Sequence, residues 1–321
     1  MRSSRFIVGM LAFGVVLVTM NNVSAQAYPN RPIRFVTTNV GGGSDFVARL
    51  LAQAVSGPLG QPVIVENRPA GPVAGEIVSK ALPDGHTVLV TGGNFWIGPL
   101  LQKKPSYDPI KDFSPVTIAE SAPNALVVHP SVAANSVKEL IAIAKAKPGE
   151  LNYASTASGG SPHLTAELFK SMAGINIVRI PYKGAAPALA DLMSGQTQMM
   201  FTSTPTAAPH MKSGKLKGLA VTSPQPTPLA PGLPTVAATG LPGFEAVTIT
   251  GLFAPAHTPR PIINRLNQEL VRYVKTAEAK EKFFTTGSEA VGSSPEELSV
   301  AVKAEVAKWG KVIKDGNITG D

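Results

Sequence analysis

Two loops rich in glycine and serine hold the residues of this chain best suited to grip an anion. The first, Asn39-Val40-Gly41-Gly42-Gly43-Ser44-Asp45, follows a β-branched run at 33–38 and leads straight into an apolar-periodic stretch. A helix starting there presents backbone N–H groups without partners and a partial positive charge. Glycine lets that backbone approach a ligand and take φ values other residues avoid. Asn39, Gly41, Gly42, Gly43 and Ser44 are therefore candidate contacts for one side of a small carboxylate. Asp45 would repel an anion, so its open roles are capping, holding a bridging water, or facing an amine on the ligand; it stays in the candidate set. The second loop, 155–161, repeats the arrangement of strand, glycines and helix start. Ser155, Ser158 and Ser161 offer hydroxyls and Gly159 offers close approach. Ser161-Pro162 has the serine-cap, proline-first pattern of a helix N-terminus. His163, in the first helical turn, either braces this loop or touches the ligand.

Three further strand ends share this character. Thr91-Gly92-Gly93-Asn94 follows the run 87–91, Pro181-Tyr182-Lys183-Gly184 follows 176–180, and Thr202-Ser203 follows 198–201. Thr91, Gly92, Asn94, Pro181, Tyr182, Thr202 and Ser203 join the candidates, whereas Lys183 is taken as a solvated charge. Phe95 and Trp96 either wall the site or fill core. The five histidines, His86, His129, His163, His210 and His257, show no paired metal-ligand spacing. Neither a metal nor another cofactor is expected. No glycine loop with a phosphate-binding lysine and no Gly-x-Ser-x-Gly elbow occurs.

These loops need strands to end them and helices to begin after them. The first helix is expected over about 44–56, stopped by Gly57-Pro58. Strands follow at 63–66 and 87–91, then at 116–119 and 125–128. Ser136 and Glu139 open the next helix as a capping box. From 151 the strand–loop–helix pattern of the first third restarts, with further strands at 176–180, 198–201 and 217–221. Strands at 244–249 and 251–254 run back between lobes. Two helices form the tail; the last opens at Ser294-Pro295-Glu296-Glu297 and is expected to pack on the first lobe. This alternation predicts an α/β fold with parallel sheets flanked by helices, whose ligands bind beyond the carboxyl ends of the strands. The expected division is a first lobe of 28–127 plus 248–321 and a second lobe of 128–247.

The chain has 321 residues, 44% hydrophobic and 16% charged, which describes a folded protein and not a disordered one. Arg2 and Arg5, the apolar run 6–20 and the small residues of 21–27 form a secretory leader. Cleavage is expected after Ala27, with Ala25 as the other register. The apolar run is short for a membrane span, and no cysteine follows it for lipid attachment. Without Arg2 and Arg5 the balance is 27 basic against 21 acidic residues, or +6. That excess is spread along the chain and not interleaved with aromatics, so nucleic acid is not expected as a partner. There is no cysteine and hence no disulfide.

Taken together, several short stretches become specific. They include Arg31-Pro32-Ile33, Asp45-Phe46-Val47-Ala48-Arg49, Glu66-Asn67-Arg68-Pro69, Pro83-Asp84-Gly85 and Tyr107-Asp108-Pro109. Later in the chain come Leu151-Asn152-Tyr153-Ala154-Ser155, Pro181-Tyr182-Lys183-Gly184 and Gly251-Leu252-Phe253-Ala254-Pro255. In this order the chain resembles the periplasmic receptors of tripartite tricarboxylate transporters, the Bug-type receptors. The resemblance implies a two-lobed, Venus-flytrap fold, type II-like, each lobe a mainly parallel sheet flanked by helices. It implies a monomer that captures a small carboxylate between its lobes and delivers it to membrane permease subunits, with no catalysis. The chain departs from the family at Thr37, Thr38 and Val40, in a shorter loop after Pro69, and at Thr202-Ser203. All lie near the expected ligand, so the resemblance names no substrate: di- and tricarboxylates, amino acids and aromatic acids stay open. The alternatives are an exported hydrolase of carboxylate esters or amides, using Ser44 or a serine of the second loop, and a sensor whose closed form docks on a membrane kinase.

Overall fold

The computed structural model describes residues 28–69, 71–156 and 159–319. The expected leader at 1–27 and the candidate Ser158 lie outside the described residues. The strands are β1 (Ile33–Thr38), β2 (Val63–Arg68), β3 (Thr87–Thr91), β4 (Phe113–Val128), β5 (Asn152–Ser155), β6 (Val178–Pro181), β7 (Met199–Ser203), β8 (Lys217–Val221), β9 (Val247–Pro255) and β10 (Glu289–Ala290). The helices are α1 (Gly43–Leu59), α2 (Val73–Ser79), α3 (Asn94–Ile97), α4 (Val137–Ala146), α5 (Ser161–Ala173) and α6 (Ala185–Met193). They continue with α7 (Thr204–Lys212), α8 (Val236–Thr239), α9 (Arg260–Val274), α10 (Ala277–Thr286) and α11 (Pro295–Asp315).

Each of the two lobes has a parallel set of strands at its centre. β2, β1 and β3 are parallel neighbours in the first, and β6, β5 and β7 in the second. Helical crossovers between such strands demand this arrangement. Antiparallel pairs then join the lobes. β9 pairs with β3 and with residues 113–123 of β4, whereas residues 124–128 of β4 pair with β7 and β8. β10 pairs with Glu120 and Ser121 of β4. One 16-residue strand thus changes partners between Pro123 and Asn124. Proline has no N–H to donate, which suits an interruption of the ladder. The Asn124 N–H donates to Thr222 Oγ1 (2.8 Å), and that hydroxyl donates to the Ala246 carbonyl (2.7 Å). The two crossing segments are thereby tied where they pass between lobes.

Several boundaries differ from the sequence expectation for local reasons. The expected strands at 116–119 and 125–128 are one, because β4 keeps pairing through the polar Glu120-Ser121. Those at 244–249 and 251–254 are also one, β9, which starts at Val247 because the Phe244 N–H closes a turn on the Leu241 carbonyl and the Ala246 N–H donates to the distant Thr222 carbonyl. α1 runs through Gly57-Pro58 and ends at Gly60, whose φ of +70° favours glycine. Proline in the last turn removes one hydrogen bond and no more. The tail holds three helices and not two, since Thr276 caps α10 by accepting the Ala279 N–H. Ser136 accepts the Glu139 N–H, but the Glu139 carboxylate takes the Asn135 N–H, so that box is half made. The box at Ser294 and Glu297 is complete.

Burial follows from these faces. Val47, Leu51 and Val55 of α1 pack with Phe35, Leu266, Leu270 and Phe283 on one side of the first sheet. Each such side chain contributes about 1.5–3 kcal/mol on leaving water. Leu298, Val302, Trp309 and Ile313 of α11 join a cluster with Phe95, Trp96, Phe253 and Phe169. α11 therefore packs on β4 and α3 and also on α5 of the second lobe, not on the first lobe alone. Among the described residues, no helix is long and apolar enough to cross a membrane.

Candidate ligand-binding cleft

The chain leaves β1 through a hydrogen-bonded turn in which Gly42 N–H donates to the Asn39 carbonyl (3.1 Å). Gly41, its third residue, has φ +79°, and a turn of this kind needs glycine there. A Cβ on Gly42 would lie 3.3 Å from the Asn39 carbonyl oxygen. α1 then begins with Gly42 as its N-cap and no side chain capping it. The first-turn amides of Gly43, Ser44 and Asp45 are left without helical acceptors. Neither Ser44 nor Asp45 is the cap. Instead the Asp45 carboxylate reaches back to accept the Gly41 N–H (2.8 Å), and also accepts from Asn67 Nδ2 (2.8 Å) and Arg49 Nε (3.1 Å). Burial pushes this carboxyl up, but the hydrogen bonds from Arg49, Gly41 and Asn67 outweigh it and hold its pKa below the ordinary range. Asp45 thus braces the loop.

The second loop mirrors this. α5 has Gly160 as N-cap, again with no side-chain cap, so Ser161 is its first residue and not the cap expected. The Ser161 hydroxyl is taken up elsewhere: it accepts from Asn124 Nδ2 (3.1 Å) and Thr248 Oγ1 (3.2 Å) of the crossing strands. His163, nearly buried, uses Nδ1 to accept the Gly159 N–H (3.0 Å). Gly159, at φ +72°, approaches the first lobe so closely that a Cβ would lie 2.8 Å from Leu101 Cδ1.

Both helix starts open on one cleft of about 420 Å³. Its walls are the ends of β1 (Thr38, Asn39) and β3 (Thr91), the α1 start (Gly43, Ser44) and the turn Gly92-Gly93-Asn94. Across from them are Thr156 and the α5 start (Gly160, Ser161, Pro162). Glu120 of β4, residues 247–250 of β9, and Glu305 and Trp309 of α11 also line it. Phe95 and Trp96 do both jobs considered for them. They line the cleft and are nearly fully buried, Phe95 stacked on Tyr107 at 5.1 Å.

Of the candidates, Asn39, Gly43, Ser44, Thr91, Gly92, Asn94 and Ser161 line this cleft. Gly41, Gly42, Asp45 and His163 stand behind it as supports. Gly159 lines an adjoining recess with Gly160. Ser155 is fully buried and accepts from Arg179 Nε (2.7 Å). Pro181 and Tyr182 are not brought to the cleft, because β6 lies at the far edge of the second sheet. Tyr182 donates to Asp191 Oδ2 (2.8 Å); burial and that carboxylate push its pKa up to about 12. Thr202 is buried in β7, and Ser203 pairs with the Thr206 hydroxyl (2.6 Å). Among the described residues no group of three or more acidic or histidine side chains is placed to hold a metal.

Glu120, Thr248, Thr250, Glu305 and Trp309 escaped the sequence expectation. The alternation of Thr248 and Thr250 in an apolar strand was the available signal. Glu120 accepts from Thr250 Oγ1 (2.9 Å) and Ser288 Oγ. Burial raises its pKa above the ordinary carboxyl range, and those two hydroxyls pull it back by less.

Comparison with known proteins agrees with this architecture. The family model described as the tripartite tricarboxylate transporter family receptor, TctC, matches residues 47–318. Protein BugT of Bordetella pertussis is 35% identical over 298 residues, covering 91% of each chain. A solved R. palustris protein, Rpa4515 with adipate, is 34% identical with a TM-score of 0.72, covering 92% of this chain and all of that one. MatC from Rhodopseudomonas palustris, with bound malate, is 29% identical with a TM-score of 0.68, covering 89% of this chain and all of that one. The chain belongs to the tripartite tricarboxylate transporter receptor family.

Proposed function

We propose that this protein is an extracytoplasmic solute-binding protein that captures a small carboxylate between its lobes and hands it to the membrane permease of a tripartite transporter. The observation that carries this reading is the placement of two uncapped helix N-termini, α1 and α5, from different lobes, on one cleft. Each start offers part of an anion site. The adipate- and malate-bound relatives support a carboxylate as the guest. The protein acts as a monomer in the periplasm after removal of 1–27, binds without chemical turnover, and uses no cofactor.

The lobes comprise 28–127 with 248–321, and 128–247. The chain crosses between them in the few residues before these bounds, near Pro123-Asn124, where β4 changes partners, and near Ala246-Val247, and the lobes hinge there. Neither half-site is complete alone, so a ligand bridging both shifts the population toward closure. Moving a 1:99 equilibrium to 99:1 takes about 5.5 kcal/mol. Two or three hydrogen bonds to a charged group, at about 1.5–3 kcal/mol each, supply it. A thermal-shift screen of carboxylic acids tests the reading. A ligand at a hundredfold excess over Kd adds about 2.7 kcal/mol of stability and contracts the protein in X-ray scattering. No stabilisation by any acid refutes capture. Loss of uptake when the gene is deleted, restored by the wild-type protein, tests delivery.

A further inference from the structure

The cleft that offers amides to an anion supplies no cation of its own. None of its described lining residues is lysine, arginine or histidine, and two are glutamates. Glu305 is already matched, by an ion pair with Lys308 and by the Trp309 indole N–H (2.5 Å). Glu120 is different: its hydrogen-bond partners are two neutral hydroxyls, Thr250 and Ser288. Hydroxyls satisfy lone pairs without neutralising charge, and a carboxylate drawn from water without a counter-charge is costly. Glu120 is partly buried and lines the cleft, so a cation entering with the ligand can meet it.

Its location relative to the amides is also fixed. The hydroxyls of Ser44 and Thr250 each lie 3.9 Å from the point a Cβ on Gly92 would occupy. Thr250 pairs in register with Glu120 and donates to it. The α1 start and the Glu120 carboxylate therefore lie on the same wall of the cleft, linked through Gly92 and Thr250. We propose that Glu120 seats a ligand ammonium, so the solute is a carboxylic acid that also carries a primary amine. This rests on the carboxylate-capture reading above. The ligand carboxylate takes the amides of the helix starts, while its ammonium, with three donors, meets Glu120. A second ligand carboxylate at that place would face a like charge.

Calorimetric titration of the wild-type protein at neutral pH tests this with matched acids. One series is adipate, 6-aminohexanoate, norleucine and hexanoate; the other is succinate, 4-aminobutyrate, 2-aminobutyrate and butyrate. In at least one series an amino acid should bind at least about tenfold more tightly than both its diacid and its plain-acid counterpart. Glu120→Gln, of the same shape, should bring that ratio close to one. A diacid that binds most tightly, an amine preference that survives Glu120→Gln, or any other ranking overturns the proposal and leaves carboxylate capture standing. A diacid preference that grows as pH falls and vanishes in Glu120→Gln would make Glu120 a protonated donor instead, and also overturns it. Binding by none of these acids, together with stabilisation by a carboxylic acid that carries no amine, overturns the proposal alone; no stabilisation by any acid in the thermal-shift screen sinks both readings.

Discussion

Replacing Asp45 with alanine should loosen the first anion-holding loop and unfold the protein at lower temperature. Asp45 is 3% exposed and accepts from Gly41, Asn67 and Arg49. Each hydrogen bond to a charged group contributes about 1.5–3 kcal/mol. The Arg49 side chain is 54% exposed, so its share falls to about 1 kcal/mol or less. Discounting for water that reaches the vacated site, the loss comes to about 3 kcal/mol at neutral pH, the low end for breaking a buried pair. At roughly 2–4 °C per kcal/mol, Tm falls by about 6–12 °C. The sign with pH follows from a folded pKa held below the ordinary 3.8. The contribution of Asp45 is complete above that value and is lost as pH falls through the depressed one. Urea denaturation of wild type and Asp45→Ala at pH 7 and in acid measures both. A difference under about 1 kcal/mol at pH 7, or one that does not shrink in acid, refutes the bracing role.

The Glu120 carboxyl has its folded pKa raised above the ordinary 4.5, so its contribution is present at low pH and lost as pH rises. Without ligand, Glu120→Gln should therefore gain on wild type between about pH 4.5 and neutrality, read by urea denaturation; a flat difference would contradict this. Ser161→Ala removes the acceptor for Asn124 and Thr248. It should lower stability by about 1–2 kcal/mol and weaken ligand binding, measured by denaturation and calorimetry. Gly159→Ala puts a Cβ at φ +72° and against Leu101. It should weaken ligand binding by at least about 1 kcal/mol, and Leu101→Ala should restore part of that in a double-mutant cycle.

What the sequence made legible was mostly local. The turn at Asn39–Gly42 and the existence of helix starts at α1 and α5 follow from glycines and serines placed after strand-like runs, although Ser161, expected as a cap, is the first residue of α5 and Gly160 takes the cap position. The complete capping box at Ser294 and Glu297 was equally plain. What stayed hidden depends on contacts distant in the chain. Pro123 and the polar Glu120-Ser121 look like a break between strands, but β9, β7 and β8 supply partners that carry β4 through. Glu120 looked like a loop residue for the same reason, and its place in the cleft emerges only from the pairing with Thr250. Tyr182 and Ser203 end strands just as Ser44 follows one. Strand order, which no local pattern encodes, puts β6 at an edge away from the cleft. Pro58 seemed to stop α1, yet a proline so near a helix end costs one hydrogen bond and the left-handed Gly60 closes the turn.

The central claim is that backbone amides of two lobes hold one anion, and amide chemical shifts in a ligand titration test it most directly. With an acid that raises Tm, the signals of Gly43 and Ser44 from α1 and of Gly160 and Ser161 from α5 should move together and fit one Kd. Saturable binding that leaves either set unmoved would contradict the account.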